Sequence, residues 1–485
     1  MNILGLSCFY HDSAACLTRD GEITAAAQEE RFSRKKYDPR FPTQAINWCL
    51  KYNNVSSRAL DRIACCGNNL SLIFNPKVKF YSPRDAYLAA AYYPSPFKEA
   101  LILVNDVDTG VIFGRSEGER ISLVKNSIFK YPLGKVYARV SRYLGFGGYG
   151  DEFKVMGLAA YGKPIYKERL LPASASPRGR NDITQFHMDV AASLQVVMEE
   201  EVLKITEYLS GLKMSGNLCL SGNMALNCLI NAKIIKQGLF KNIWIQPASA
   251  NAGCALGAAL LAWYEKNKRN DGPGMDKMSG SFLGPDYNED YIENFLRNEG
   301  ILYKKLYHTD IAKIAAGLIA QGKVVGWFQG RAEFGPRALG NRSILGDSRD
   351  LRMHKKLNLE VKRREAFRPF APTVLWEKAG DYFELDREDP FMLFTAQVKE
   401  EKKAEIPAVV HIDGSSRVQT IKKENNPLYY DLVNEFYQIT GCPVIINTSF
   451  NSGPEPMVLS PEDAYRCFKS SAIDCLVLGR YLVEK

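Results

Sequence analysis

The sequence predicts an α/β protein built from more than one domain, and three observations carry that reading. The chain has 485 residues, which at roughly 150 residues per domain asks for two to four cores. Its composition, 46% hydrophobic and 24% charged, is that of globular material and excludes disorder, collagen or a coiled coil as the main structure. Short apolar runs are repeatedly followed by a small-residue turn and then a helical stretch, the pattern of strand–turn–helix units.

The elements follow in chain order. MNILGLS reads as a strand, SAACLTR as a second and EITAAA as a third, with a polar loop after the first and a tight turn at Asp20-Gly21 after the second. LILVNDVDTGVIF, Leu101 to Phe113, repeats the theme of strand, acidic turn and strand. A helix is predicted from Met188 to Leu212. NLCLSGNMALNCLINAKIIKQGLF and NIWIQPASANAGCALGAALLAWY then each read as strand, turn and helix, in tandem. Such turns serve as anion-holding helix N-termini, or use glycine simply for close helix–strand packing. Residues 265–280, polar with Gly and Pro, read as a linker. The division they predict is 1–275 and 276–485. The second part carries a helix at Asp310–Gln321, strands at KVVGWFQ, RVQTI and CPVIINT, and a last helix and strand at PEDAYRCFKS and CLVLGRYLVE.

Several function classes fall away. No stretch approaches about 18 uncharged apolar residues, so no membrane span is read. The N-terminus lacks a basic region ahead of its apolar run, which argues against a signal peptide. Eleven cysteines without framework spacing fit a reduced, cytoplasmic protein. GFGGYG at Gly145–Gly150 follows a helical stretch, KVYARVSRYL, rather than a strand, so the dinucleotide reading is rejected; there is no Walker P-loop. No two of the five histidines stand three to five apart and no Cys pair has ligand spacing, which argues against a local zinc or iron site.

The net charge is +9, and part of the excess lies between Arg331 and Arg368. There Arg331, Arg337, Arg342, Lys362, Arg363, Arg364 and Arg368 are interleaved with Gly335, Pro336 and Gly340. A turn that presents forked cations fits a phosphorylated small molecule better than a nucleic-acid stripe. HIDGSSRVQT (His411–Thr420) and NTSFNSGPEP (Asn447–Pro456) add Arg417 and a hydroxyl and amide cluster. His11-Asp12-Ser13, in the first turn, is a compact acid–base group.

GLSCFYHDSAACLTRDGEITAAAQEERFSRKK, GDEFKVMGLAAYG, LCLSGNMALNC, GRAEFGPRALGNRSIL, FRPFAPTVL, HIDGSSRVQT and NTSFN together resemble the NodU/CmcH carbamoyltransferases, which O-carbamoylate nodulation factors and antibiotics. The resemblance runs collinearly over nearly the whole chain. It implies an actin-like (ASKHA) domain over 1–275 and a YrdC-like domain over 276–485. The second would form carbamoyl-adenylate and pyrophosphate from carbamoyl phosphate and ATP, the latter with Mg²⁺. The first would pass the carbamoyl group to a small natural-product acceptor. The motif positions assign Lys362, Arg417, Ser449 and Asn447 to carbamoyl phosphate. Arg337, Arg342, Gly222, Asn223 and Asn251 fall to the nucleotide, and His11, Asp12 and Asp106 to catalysis. The expected partners are these small molecules, with a homodimer or a pairing with a homologue also compatible.

One departure stands out. The family's HxxxH metal pair, before its FYPSPF-like stretch, matches Pro83 and Tyr87 here, and a further metal-binding aspartate matches Asn251. The segment between Cys66 and Tyr92 is also shorter than usual. Of the ligand set only Asp106 remains, so the sequence argues against a transition metal. This keeps two alternatives open: a homologue that forms carbamoyl-adenylate for a non-standard acceptor, and a nucleotide-binding partner subunit of an intact relative.

Overall fold

The computed structural model describes residues 1–67, 76–125, 133–147, 150–168, 170, 183–269 and 277–485. Part of the GFGGYG motif, part of the shortened stretch after Cys66, and the centre of the linker with the expected boundary at 275/276 lie outside the described residues. The chain forms two compact units. Unit 1 comprises Met1–Ser33 and Tyr37–Met278; unit 2 comprises Arg34–Lys36 and Ser279–Lys485.

Unit 1 is built on two five-stranded sheets of the same design. β1 (Asn2–Ser7), β2 (Ala14–Arg19), β3 (Glu22–Gln28), β4 (Arg62–Cys66) and β5 (Val78–Tyr81) lie in the order β3-β2-β1-β4-β5. β6 (Glu99–Asp106), β7 (Gly110–Glu117), β8 (Arg120–Leu123), β9 (Asn217–Ser221) and β10 (Asn242–Ile245) lie in the order β10-β9-β6-β7-β8. In each sheet the first three strands pair antiparallel and the last two parallel. This duplicated mixed sheet is the arrangement expected of an actin-like domain. The central strands β1 and β6 are buried on both faces, as strands covered by helices must be.

Small residues set how closely the helices of unit 1 approach. The helix Asn251–Tyr264 lies over β1, where a Cβ on Gly5 would come within 2.0 Å of the Ala255 carbonyl oxygen. The helix Pro83–Tyr92 lies against the same helix, where a Cβ on Gly257 would come within 2.0 Å of the Ala86 carbonyl oxygen. Only glycine tolerates such contact. Ser82 caps the second helix by accepting from the Asp85 N–H, with Pro83 at its first position. The next turn delivers Tyr87 to the N-terminus of the helix Asn251–Tyr264.

Unit 2 is an α/β layer around one mixed sheet. Its strands are β11 (Lys304–Lys305), β12 (Val325–Phe328), β13 (Arg342–Asp347), β14 (Ala371–Leu375), β17 (Gln419–Ile421), β18 (Val444–Ser449), β19 (Cys475–Leu478) and β20 (Tyr481–Glu484). They run in the order β11-β20-β19-β12-β13-β18-β14-β17, and a separate pair joins β15 (Ala396–Gln397) to β16 (Ser415–Ser416). The core comes from the apolar faces of the helices Ile311–Ala320 and Pro427–Thr440 packed on these strands. The expected final strand is a hairpin, because Gly479 turns the chain at positive φ between β19 and β20.

A three-residue excursion belongs to unit 2 although its neighbours belong to unit 1. Arg34 donates to the carbonyls of Met457 and Pro456 at 2.7 Å each, and its guanidinium lies 3.4 Å from Asp463 and 3.6 Å from Glu455. Among the described residues no helix is long and apolar enough to cross a membrane.

Candidate functional site

The expected site residues fall into two groups, one within each unit. In unit 1 the tips of the two equivalent hairpins carry the catalytic candidates, His11 and Asp12 after β1 and Asp106 at the end of β6. Asp106 Oδ1 accepts from the Asp108 and Thr109 N–H groups at 3.0 and 3.1 Å and lies 3.3 Å from the Thr109 hydroxyl. Its other oxygen lies 3.0 Å from the Tyr87 hydroxyl, which is also in short contact with Asn251 Oδ1. Asn251 in turn donates from Nδ2 to the His11 carbonyl at 3.2 Å. Burial, with Asp106 close by, pushes the Tyr87 phenol well above its ordinary range, so it remains a hydrogen donor.

The His11 ring is enclosed and packs edge-on to Tyr37, centroids 6.5 Å apart. Burial lowers its pKa more than Asp106 and Asp108 raise it, so the imidazole is neutral near pH 7 and able to take a proton. Asp12 is buried, takes a left-handed φ of 69° and accepts from Gln28 Nε2 at 2.6 Å. Desolvation, reinforced by Glu30, raises its pKa to about 7, against Gln28, Arg31 and the Ala252 N–H at the start of the helix Asn251–Tyr264. Gly222 has φ 89°, and a Cβ there would fall 2.4 Å from the Asn105 carbonyl oxygen; Asn223 follows at once in a single 3₁₀ turn. Gly222 and Asn223 are thus at the edge of β6, next to Asp106.

In unit 2 Lys362 is the focus. Its ammonium is buried and lies 2.6 and 3.1 Å from the Ser449 carbonyl and hydroxyl, and 3.0 and 2.6 Å from the Asn451 carbonyl and Oδ1. Burial lowers its pKa well below the usual lysine range, and Arg364, Arg368 and Lys36 push the same way. Arg364 is likewise depressed by burial and then by Arg368, with Arg417 adding to it. Its Nε donates to Asn358 Oδ1 at 2.7 Å and its guanidinium lies 4.7 Å from the Phe370 ring centre. His354 joins the group, lowered by burial and by Arg364 and His411. Nearby carboxylates include Glu365, 3.8 Å from Arg368, Asp413, 3.5 Å from His411, and Asp389, which senses Arg417. Gathering cations around a buried lysine is costly, and an anion bound among them would offset that cost.

Two expected residues occupy framework positions. Arg342 is wholly buried and its guanidinium donates to the carbonyls of Gln329, Gly330, Asn341, Pro285 and Leu459 at 2.6–3.3 Å, over the Phe328 ring. Asn447 donates to Gln419 Oε1 at 2.8 Å and to the Ala338 carbonyl at 3.3 Å, beneath the turn that holds half-buried Arg337. Glu333 organises that turn, since its Oε1 accepts the N–H groups of Leu339, Asn341 and Arg342 at 2.8–3.2 Å. The sequence did not single out Glu333, Asn451 or Glu30, and it marked Tyr87 only as the position of a lost ligand. NTSFN held the signal for Asn451, two positions after Ser449. For Glu333 nothing in the sequence distinguishes a buried glutamate from an exposed one.

The metal that the resemblance implies does not fit this donor set. Tyr87, Asp106 and Asn251 do converge, but as phenol, carboxylate and amide joined to one another, with no imidazole and with Pro83 lacking any donor. Among the described residues no three His, Cys, Asp or Glu side chains converge as ligands.

Comparison with known proteins places these sites in context. The family profile described as Carbamoyltransferase N-terminus matches residues 2–69, 59–173 and 169–260. That described as Carbamoyltransferase C-terminus matches residues 316–485. The chain is 37% identical to an uncharacterised protein of Synechocystis, over 100% of this chain and 97% of that one. It is 35% identical to nodulation protein NolNO of Sinorhizobium fredii, over 98% of this chain and 79% of that one. Among solved structures it is similar to component A of the (R)-2-hydroxyglutaryl-CoA dehydratase of Acidaminococcus fermentans, at 13% identity and TM-score 0.37, over 55% of this chain and 98% of that one. With both halves matched and a 37% identical relative aligned nearly end to end, the chain belongs to the carbamoyltransferase family and is a carbamoyltransferase.

Proposed function

We propose that the enzyme uses ATP to convert carbamoyl phosphate into carbamoyl-adenylate in unit 2 and transfers the carbamoyl group to a hydroxyl of a small acceptor in unit 1. The observation that carries this reading is the cation cluster around buried Lys362, which brings together half-buried Arg364, Arg368 and Arg417 with exposed Lys36. Two phosphorylated reactants bring several negative charges to one place, and preorganised cations in a dry site stabilise them without reorganisation. Lys362 already satisfies its three protons on Ser449 and Asn451, so it fixes the oxygen-rich turn against which the reactant sits. Arg417 and Arg368 supply forked contacts to the phosphate.

The chemistry balances as follows. Water releases carbamate and phosphate from carbamoyl phosphate. A carbamate oxygen attacks the α-phosphorus of ATP, the α–β anhydride breaks, and pyrophosphate leaves; Mg²⁺ carried by ATP would offset its charge. In unit 1 the acceptor oxygen attacks the carbamoyl carbon, AMP departs, and His11 takes the hydroxyl proton. The direct test is pyrophosphate release from ATP by the full chain. Release that requires carbamoyl phosphate supports the reading; release that is independent of it, or none at all, refutes it.

A further inference from the structure

Three elements of unit 1 meet at one hydroxyl. Tyr87, from the helix Pro83–Tyr92, is 1% exposed. Its oxygen touches Asp106 Oδ2 at 3.0 Å, from the end of β6, and Asn251 Oδ1, from the first turn of the helix Asn251–Tyr264. The Asn251 amide orientation is fixed by its other end, because the His11 carbonyl at 3.2 Å can only accept and so faces Nδ2. The single phenol proton therefore faces two acceptor oxygens, a carboxylate and an amide carbonyl. Asp106 cannot swing away, since Oδ1 is held by two backbone N–H groups of its own hairpin. Asn251 cannot swing away either, since Gly257 and Gly5 lock its helix against the Tyr87 helix and β1.

We propose that Tyr87 is a positioning residue whose hydroxyl proton takes the place of a transition-metal ion, tying Asp106 to Asn251 and so fixing the His11 turn. The argument is one of charge and size. A cation at this junction would draw the three oxygens inward from all sides. The phenol proton, shared between the two acceptors, bridges them and leaves the rest of the space to the phenol ring. Residues 83 and 87 are four apart on one helix face, so both can point at Asp106. With Pro83 and Tyr87 there, the helix offers no imidazole and the proton is the bridge. The placement of the acceptor-side base is thereby independent of metal supply. The inference rests on unit 1 being the transfer site.

The test is a Co²⁺ titration, followed by visible absorption and equilibrium dialysis, of the full-length protein, Y87F and P83H/Y87H, each confirmed folded by circular dichroism. The expected result is no stoichiometric Co²⁺ on the unaltered protein. P83H/Y87H gains one saturable site per chain with ligand-field bands, and adding D106N abolishes it. A stoichiometric site on the unaltered protein that Y87F removes would make Tyr87 a ligand and overturn the proposal. So would a folded P83H/Y87H that binds no Co²⁺. As a second readout, Y87F should keep carbamoyl-phosphate-dependent pyrophosphate release within about twofold, because its charge-neutral change is confined to unit 1, while carbamoyl transfer falls. Equal losses in both assays make Tyr87 a general structural residue and also overturn the proposal. Absence of pyrophosphate release from the unaltered protein sinks the adenylation reading instead, and leaves the Co²⁺ result to decide on Tyr87.

Discussion

The surroundings of Lys362 and of Tyr87 solve opposite electrostatic problems. Around Lys362 the protein gathers cations, and burial first and then their neighbours drive down the pKa values of Lys362 and Arg364. Around Tyr87 it gathers oxygens and neutralises them internally with protons from a phenol, an amide and backbone N–H groups. In the proposed reading, an anion from outside completes the charged site. A site already satisfied needs nothing further and can only hold geometry. The difference teaches where in this chain binding energy resides and where rigidity does.

Four substitutions press on that contrast, in descending order of effect. His11→Ala removes the base from the neutral side. Loss of a general base costs about 10²–10⁴-fold, so carbamoylated product should fall by that factor while pyrophosphate release stays near normal. Equal losses in the paired assays would show that the two sites are not separable. Arg417→Ala takes one forked cation from the charged side. Losing a charge-assisted contact costs about 1.5–3 kcal/mol, or about one to two decades, in pyrophosphate release at limiting carbamoyl phosphate. An unchanged rate there removes Arg417 from the site.

The third concerns pH. The Asp12 carboxyl has its pKa raised in the fold from 3.8 to about 7, so the folded state holds this proton more tightly than the unfolded chain. The stabilisation is complete below the unfolded value and is lost as pH rises through about 7. The urea midpoint of the unaltered protein should therefore drop between pH 5 and pH 8 by more than that of Asp12→Asn. Parallel pH profiles would show that Glu30 and Arg31 already absorb the charge. The smallest effect is a control that touches neither site. Ser460 caps the helix Pro461–Ser470 in a reciprocal capping box with Asp463, so Ser460→Ala should cost about 1 kcal/mol of stability and leave both half-reactions intact. A selective loss of pyrophosphate release would tie that helix to the Lys362 cluster.

Much of the fold was legible because periodicity and glycine placement speak locally. The first hairpin, the tandem strand–turn–helix units and the helix Pro461–Ser470 lie where the pattern put them. The duplication of the five-stranded sheet was signalled only by the repeated strand–turn–strand theme and the resemblance, because strand pairing across distant segments leaves no local mark. The basic segment announced an anion site, yet composition could not sort its members. Arg342 spends its donors on five carbonyls, whereas Arg364 faces other cations. Both are arginines beside turn residues, and only the path of the backbone separates them. Likewise the sequence marked Tyr87 as a missing ligand, but not as a bond between the groups the ligand would have joined.

The excursion of Arg34–Lys36 into unit 2 has a genetic consequence. Recombination between relatives is easiest when a domain is one unbroken stretch of gene, so that a single crossover exchanges a working part. Here a crossover in the linker would deliver a unit 2 without the arginine that holds Pro456, Met457 and Asp463, or with one inherited from a foreign lineage. The two halves are therefore expected to be inherited together, and a chimera joined near Ser279 should fold its C-terminal half well only when residues 34–36 come from the same parent as that half.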